Sequence, residues 1–201
     1  MNILAHTYLS DRNEGLLIGN FIADFVKGDP AAPRHGLPPG EVAGIRLHRA
    51  IDLFTDTHAE VAAVRTLLRP RCRKYAGVAV DVFFDHYLAT GFTGLTGESL
   101  PDFVGFVYQI LRANTNHLPP DARRMANAMI RYDWLLNYRT RDGIDRSLRG
   151  LSQQTAFPSG LDTVILDFDR YYDRIGEHFS YFWPELVAHV RDRRESLPGT
   201  F

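Results

Sequence analysis

The sequence has little of what secreted, membrane-spanning or strongly charged proteins contain. Its single cysteine, Cys72, cannot form an internal disulfide. No stretch approaches the roughly 20 apolar residues that a transmembrane helix needs. Residues 1–19 have no basic beginning and are interrupted by polar residues at positions 11–14, which argues against a signal peptide. These absences predict a cytoplasmic protein that has no membrane partner.

The charges nearly balance, with 23 Lys and Arg against 24 Asp and Glu, and the formal net charge is -1. Such a balance gives no global attraction to nucleic acid, so we expect no nucleic-acid partner, and any electrostatic recognition must use a local patch. With 201 residues, 45% of them hydrophobic, the chain can bury one sizeable core. We therefore expect residues 1–201 to form a single domain.

Apolar residues recur at spacings of three and four rather than alternating, which predicts an all-α fold. Glycine and proline mark helix ends, and the Pro- and Gly-rich segment 31–40 is predicted as a loop. The predicted helices cover residues 14–26, 41–55, 58–68, 74–89, 99–117, 119–138, 142–151 and 161–194. The last of these is expected to bend near Pro184.

Two carboxylates lie on one stripe of the helix predicted over residues 74–89. Asp81 and Asp85 are one turn apart, and the helix is apolar on nearly all its faces, which predicts that it is buried. Burying ionised, unpaired carboxylates is costly, and two close like charges repel. A shared metal ion would relieve both costs. Pairing with an arginine or capping of a neighbouring helix is the simpler alternative.

A second acid-bearing stripe favours the metal. His48 and Asp52 are four residues apart beside the apolar arc of Leu47 and Ile51, so they offer an imidazole and a carboxylate in one direction. The first predicted helix adds Asp24, which is expected to point toward the core. The predicted metal ligands are Asp24, His48, Asp52, Asp81 and Asp85.

Two further histidines lie in apolar surroundings. His6 alone is more simply a core histidine bonded to a carbonyl, and His86 is similar, because it lies about 100° from Asp85 on the helical wheel. Either could instead orient a metal ligand from outside the coordination sphere. We expect His6 and Asp56 to support ligands or transfer protons. The predicted catalytic residues are Asp24, His48, Asp52, Asp85 and His86.

Imidazole and carboxylate ligands without a thiolate suit Mn²⁺, Mg²⁺ or Fe²⁺ better than a structural zinc. Such an ion polarises a phosphoryl oxygen and lowers the pKa of a bound water. The motifs G-x-x-x-x-G-K-[ST], G-x-G-x-x-G, G-x-S-x-G and H-E-x-x-H do not occur. The chemistry that fits the predicted ligands best is metal-dependent hydrolysis of a phosphate ester.

Four segments together resemble the bacterial acyl carrier protein phosphodiesterases. They are residues 1–6 (MNILAH), 19–28 (GNFIADFVKG), 44–56 (GIRLHRAIDLFTD) and 81–88 (DVFFDHYL), with thinner similarity at 134–139 and 182–184. The resemblance implies a helical bundle of the HD phosphohydrolase type, whose His and Asp residues bind a divalent ion, typically Mn²⁺. In place of that superfamily's contiguous His-Asp pair, this sequence has Asp85-His86.

The same resemblance implies a reaction and a link to fatty acid biosynthesis. The reaction is hydrolysis of the phosphodiester that joins 4′-phosphopantetheine to a serine of holo-acyl carrier protein. Acyl carrier proteins are small and acidic, so a basic surface is expected to dock them. The candidate cluster is Arg65, Arg69, Arg71, Arg73 and Lys74. A solvated positive turn without a partner is the alternative.

Two other functions stay open at this level. One is an HD-type nucleotide phosphohydrolase, which keeps the metal and changes the substrate. The other is a non-catalytic helical module that binds a carrier protein. Tyr132, Trp134 and Tyr138 could line a pantetheine channel, although aromatic residues at such spacing are more often core.

Overall fold

The computed structural model describes residues 3–195 and confirms the all-α prediction. No strand occurs within this range. The helices are α1 (Ile3–Tyr8), α2 (Glu14–Ile22), α3 (Pro39–Thr57), α4 (Ala59–Cys72), α5 (Ala76–Thr90), α6 (Phe92–Thr96), α7 (Leu100–Ala113), α8 (Pro120–Arg131), α9 (Trp134–Asn137), α10 (Arg141–Gln153) and α11 (Ile165–Glu195). Among the described residues, none of these helices is long and apolar enough to cross a membrane.

Several helix starts follow local sequence signals. The Asn13 side chain accepts a hydrogen bond from the Leu16 N–H at 3.0 Å and caps α2, and the Thr140 hydroxyl caps α10 in the same way. Proline occupies the first turn of α3, α7 and α8, where its missing N–H has no helical partner to lose.

Several boundaries differ from the prediction. The helix predicted over residues 119–138 is divided into α8 and α9, and α1 and α6 lie outside the predicted helices. Helix α2 stops at Ile22 and tightens into a 3-10 turn over Ala23–Phe25, so Asp24 leaves the buried face. Helix α4 continues through Pro70 to Cys72. In α11 the non-helical dihedral angles are at Tyr171 (φ -114°, ψ 19°), whereas the bend was predicted at Pro184.

Helix α5 lies in the centre of a continuous hydrophobic core, as its apolar sequence predicts. Phe83 and Phe84 are fully buried, and each contacts a ring of α11. The ring centroids of Phe83 and Phe168 are 4.5 Å apart, and those of Phe84 and Phe182 are 5.2 Å apart. These contacts fix α5 against the longest helix of the fold.

Helices α2 and α3 approach each other closely because glycines face the partner backbone. A Cβ atom on Gly19 would lie 2.1 Å from the Glu41 carbonyl oxygen, and one on Gly44 would lie 2.4 Å from the Leu16 carbonyl oxygen. Only the absence of these side chains lets the backbones come so near. The close approach brings Asn20 of α2 beside His48 of α3.

Candidate metal centre

Three side chains from two helices meet in one cluster. His6 comes from α1, and His48 and Asp52 come from successive turns of α3. One ligand atom from each lies within 4.8 Å of the others. Asp52 Oδ2 is 3.0 Å from His48 Nε2, and Asp52 Oδ1 is 3.2 Å from His6 Nε2. The Asp52 carboxylate therefore faces both Nε2 atoms.

Asn20 contacts the opposite edge of both imidazoles. Its Oδ1 atom lies 2.8 Å from His6 Nδ1 and 3.0 Å from His48 Nδ1. Its amide nitrogen donates to the His6 carbonyl oxygen and to Ser10 Oγ. Asn20 is not among the site residues predicted from the sequence. The available signal was a polar residue between Gly19 and Phe21 on a buried helix.

His6 Nε2 is buried and has no hydrogen-bond partner among the described residues. Asp52 Oδ1 lies 3.2 Å away, but without the alignment of a hydrogen bond. Burial, together with the charge of His48, lowers the pKa of His6 to about 4, so the ring is neutral at neutral pH. A coordinated cation is one way to satisfy such a buried nitrogen. The residues present therefore fit a divalent metal ion.

His48 and Asp52 form a coupled pair. Burial opposes a charge on His48, but Asp24 and Asp52 outweigh this effect and raise the pKa of His48 to about 9. Burial likewise opposes ionisation of Asp52, yet the two neighbouring histidines hold its pKa far below the usual range. Asp52 is therefore ionised at neutral pH.

Asp24 lies at the margin of the cluster. Its Oδ1 atom is 3.6 Å from His48 Nε2, and 81% of its side chain is exposed. The prediction that Asp24 points into the core is wrong, because the 3-10 turn redirects the chain after Ile22. Its pKa is lowered by His48, so Asp24 offers an ionised and accessible carboxylate beside the cluster.

Asp85 lies outside the cluster, which corrects its predicted role as a metal ligand. The side chain is fully buried, and its oxygens accept hydrogen bonds from the Leu4 N–H at 2.8 Å and the Ala5 N–H at 3.2 Å. Asp85 therefore caps α1, the simpler alternative that the sequence left open. Through this contact it positions the helix that carries His6.

His86 also lies elsewhere, which corrects its predicted catalytic role. Its Nδ1 atom donates to the Tyr138 carbonyl oxygen at 2.8 Å, and its Nε2 atom lies 3.1 Å from the Tyr172 hydroxyl. The core position bonded to a carbonyl, which the sequence suggests for both histidines, is confirmed for His86 and not for His6. His86 is the core histidine bonded to a carbonyl, and His6 is the one that joins the cluster.

Asp81 and Asp56 lie near the cluster without being part of it. Asp81 is half-buried, and its pKa is raised by burial and, less strongly, by the charges of Asp52 and Asp56. Its role as a metal ligand stays a prediction. Asp56 is exposed and accepts a hydrogen bond from the Arg65 guanidinium at 2.7 Å.

A cavity of about 1020 Å³ opens beside the cluster. His6, Asn20, Asp24 and His48 form part of its wall. The same cavity is lined by Tyr132, Trp134 and Tyr138. From the sequence, these aromatic residues could either line a channel or belong to the core. Substrate bound there would lie against the imidazoles of the cluster.

A separate groove of about 680 Å³ lies near the end of α3. It is lined by Asp56, Arg65, Arg69, Arg73 and Lys74, among others. Arg71 does not line this groove, so its predicted place in the docking cluster is corrected. Its guanidinium binds both carboxylate oxygens of Asp167 on α11, at 2.5 and 3.2 Å, and so is held against the protein.

Comparison with known proteins identifies close relatives. Residues 1–186 match the family described as acyl carrier protein phosphodiesterase. The acyl carrier protein phosphodiesterases of Escherichia coli strains HS and Crooks are each 33% identical to this chain over 189 residues. The matches cover 94% of this chain and 96% of each relative. No solved structure matches the chain significantly.

Proposed function

Because the chain belongs to the acyl carrier protein phosphodiesterase family, we propose that it hydrolyses the phosphodiester between 4′-phosphopantetheine and a serine of holo-acyl carrier protein. The products are the apo-carrier protein and free 4′-phosphopantetheine. The observation that carries this proposal is the cluster of His6, His48 and Asp52 beside a large cavity. The family provides the substrate class, and the cluster provides groups suited to the chemistry.

We propose that the cluster binds a divalent ion. Mn²⁺ is the preferred candidate, and Mg²⁺ and Fe²⁺ are the alternatives. The Nε2 atoms of His6 and His48 and the Asp52 carboxylate would hold it, with Asp24 on the exposed side. The unpartnered His6 Nε2 and the ionised Asp52 support this assignment. When bound, such an ion polarises a phosphoryl oxygen and lowers the pKa of a water. We also propose that the chain is related to the HD phosphohydrolases, whose His and Asp residues bind a divalent ion.

The chain's own groups then position the reactants. Asp24 is ionised and exposed to the cavity, so it accepts a hydrogen bond from the attacking water and takes up its proton. The water oxygen bonds to phosphorus as the bond from phosphorus to the serine oxygen breaks. The departing serine oxygen receives a proton from solvent, Asp24 returns its proton to solvent, and the carrier protein leaves with a free hydroxyl.

The cavity suits the pantetheine arm, a flexible chain of methylenes interrupted by two amides. Tyr132 and Trp134 offer aromatic faces to the apolar part. Asn137 and Ser147 offer hydrogen-bonding groups to the amides. The exposed guanidinium of Arg146 adds positive charge to the same cavity, which favours an anionic substrate.

The basic groove is the proposed docking surface for the acidic carrier protein. Arg69 and Arg73 have no carboxylate within 4.0 Å in the described part of the chain, so their charges are available to a partner. Asp56, in the groove, is one helical turn from Asp52, or about 6 Å along the axis of α3. A carrier protein bound there would present its modified serine near the cluster.

Mass spectrometry of holo-acyl carrier protein treated with the purified protein and Mn²⁺ tests the reaction. We expect the mass of the apo-carrier and release of 4′-phosphopantetheine. Chelation with EDTA should stop turnover, and added Mn²⁺ should restore it. The matched variant Asp52→Asn keeps the size of the side chain but loses the charge between the imidazoles, and it should lose nearly all turnover.

A parallel assay with nucleotides, including guanosine tetraphosphate, addresses the alternatives. Turnover of a nucleotide without turnover of the carrier protein would replace the proposal with a nucleotide phosphohydrolase. Tight binding of the holo-carrier without turnover of either substrate would indicate a non-catalytic module.

A further inference from the structure

We propose that Asn20 is a positioning residue whose side-chain carbonyl holds His6 in the form that carries its hydrogen on Nδ1, so that the Nε2 lone pair faces Asp52. The same carbonyl contacts His48. The inference rests on the proposed metal site and adds to it a residue that contacts neither ion nor substrate in this role. It makes Asn20 the group that prepares the ligand set before an ion binds.

The neighbours of the Asn20 amide determine its orientation. The His6 carbonyl oxygen lies 2.9 Å from Nδ2 and can only accept. The Ser10 hydroxyl, 3.2 Å from Nδ2, donates its own hydrogen to the same carbonyl at 3.0 Å. Exchanging the amide oxygen and nitrogen would place oxygen against the His6 carbonyl oxygen. Nδ2 therefore faces the His6 backbone, and Oδ1 faces the imidazoles.

A carbonyl oxygen accepts only, so the imidazole nitrogens next to it must donate. His6 Nδ1 is 2.8 Å from Asn20 Oδ1, which requires the hydrogen on Nδ1. His48 Nδ1 donates to the same oxygen at 3.0 Å and also to the Asn20 main-chain carbonyl at 2.9 Å. Two acceptors therefore hold the hydrogen on His48 Nδ1. The hydrogen on His6 Nδ1 depends on the Asn20 side chain alone.

This form of His6 is unfavourable without a cation. Its Nε2 lone pair faces Asp52 Oδ1 at 3.2 Å, and two acceptors at that distance repel. If the hydrogen moved to Nε2, a small rotation of the Asp52 side chain would let His6 donate to it and would close the space between them. Asn20 prevents this closure, because Nδ1 would then present a lone pair to Oδ1. The site is held ready for a positive ligand.

Nitrogen-15 NMR of the metal-free protein at neutral pH tests the inference, since the ring-nitrogen shifts of neutral His6 distinguish the two forms. Asn20→Leu removes the acceptor at similar volume, and Asn20→Asp retains an acceptor oxygen. Ser10→Ala is the control, because it removes a contact of Nδ2 and leaves Oδ1 in place. Calorimetric titration with Mn²⁺ on the same proteins gives the Kd.

We expect the Nδ1–H form of His6 in the wild type, in Asn20→Asp and in Ser10→Ala. In Asn20→Leu the hydrogen should move to Nε2, and the Kd for Mn²⁺ should rise roughly 10–100-fold. A folded Asn20→Leu protein with unchanged His6 shifts and unchanged Kd would overturn the inference.

The wild-type spectrum is decisive by itself if Asn20→Leu does not fold, because the Nε2–H form of His6 there would also overturn the inference. Failure of the wild type to bind Mn²⁺ would count against the proposed metal site. The NMR result on the metal-free protein would still decide what Asn20 does to His6, so the two failures are distinguishable.

Discussion

His6 and His48 stack face to face, with ring centroids 4.1 Å apart and an angle of 21° between the ring planes. The stack directs both Nε2 atoms toward Asp52. It forms because Asp85 anchors α1 and because facing glycines let α2 lie close against α3. The geometry of the cluster therefore depends on contacts outside it as well as on its own residues.

Replacing His6 should impair metal binding far more than replacing His86. His6→Ala removes a proposed ligand, so its Kd for Mn²⁺ should rise by more than the roughly 10–100-fold typical of supporting residues. His86→Ala should leave the Kd near that of the wild type and lower the Tm, because it removes a core hydrogen bond. Titration calorimetry and thermal unfolding measure both. If His86→Ala lost Mn²⁺ binding and His6→Ala retained it, the proposal that His6 is the metal ligand would be contradicted.

Gly44→Ala should separate α2 from α3. The new methyl group would lie 2.4 Å from the Leu16 carbonyl oxygen, so we expect a loss of about 1–3 kcal/mol in the free energy of unfolding, together with weaker Mn²⁺ binding. Gly105→Ala in α7 is the matched control, since a Cβ there meets nothing within 4 Å, and it should stabilise by up to ~1 kcal/mol. Urea denaturation measures the free energy of unfolding of both variants. Equal changes in the two would refute the claim that close packing of α2 against α3 requires glycine at position 44.

Asp85 should give the stability a specific pH dependence. Burial raises the pKa of Asp85 from 3.8 to about 7, despite the opposing hydrogen bonds from Leu4 and Ala5. Between these values the folded state binds more protons than the unfolded state, so this contribution to stability is full below about pH 4 and is lost as the pH rises through 7.

Asp85→Asn does not titrate and should lack this slope. The stability of the wild type relative to Asp85→Asn should therefore fall by roughly 3–4 kcal/mol between pH 4 and pH 7.5, measured by denaturant unfolding at each pH. A difference between the two proteins that stays constant across this range would show that Asp85 does not hold its proton more tightly in the folded state.

Charge reversal in the basic groove should affect the carrier protein more than a small substrate. The double variant Arg69→Glu and Arg73→Glu should raise KM for holo-acyl carrier protein and leave cleavage of a small phosphodiester nearly unchanged. Arg71→Gln is the control, because Arg71 is bound to Asp167, and it should lower the Tm without raising KM. Equal losses on both substrates in the double variant would exclude a docking role.

Cys72 should be inert in the folded protein. It is fully buried, and burial raises the pKa of its thiol to about 11, which leaves roughly one thiolate in a thousand at pH 8. Iodoacetamide should therefore modify Cys72 only after unfolding, as mass spectrometry of native and urea-treated samples would show. Rapid modification of the native protein would indicate that the region around the end of α4 opens.

The sequence by itself determined the features that depend on neighbours along the chain. Three- and four-residue periodicity predicts the helices, because side chains on one face of a helix recur at that spacing. The same rule brings His48 and Asp52 together, since they are one turn apart on α3. The buried character of α5 follows from its apolar composition on nearly all faces.

Only the tertiary structure decided which polar groups meet across helices. Asp85 contacts Leu4, 81 positions away, and that contact makes it a helix cap. Arg71 contacts Asp167, 96 positions away, and so leaves the docking cluster. His6 joins His48 and Asp52 for the same reason, because α1 packs where its imidazole reaches Asp52. Periodicity indicates which face of a helix is buried, but the partner on that face is set by how the helices pack.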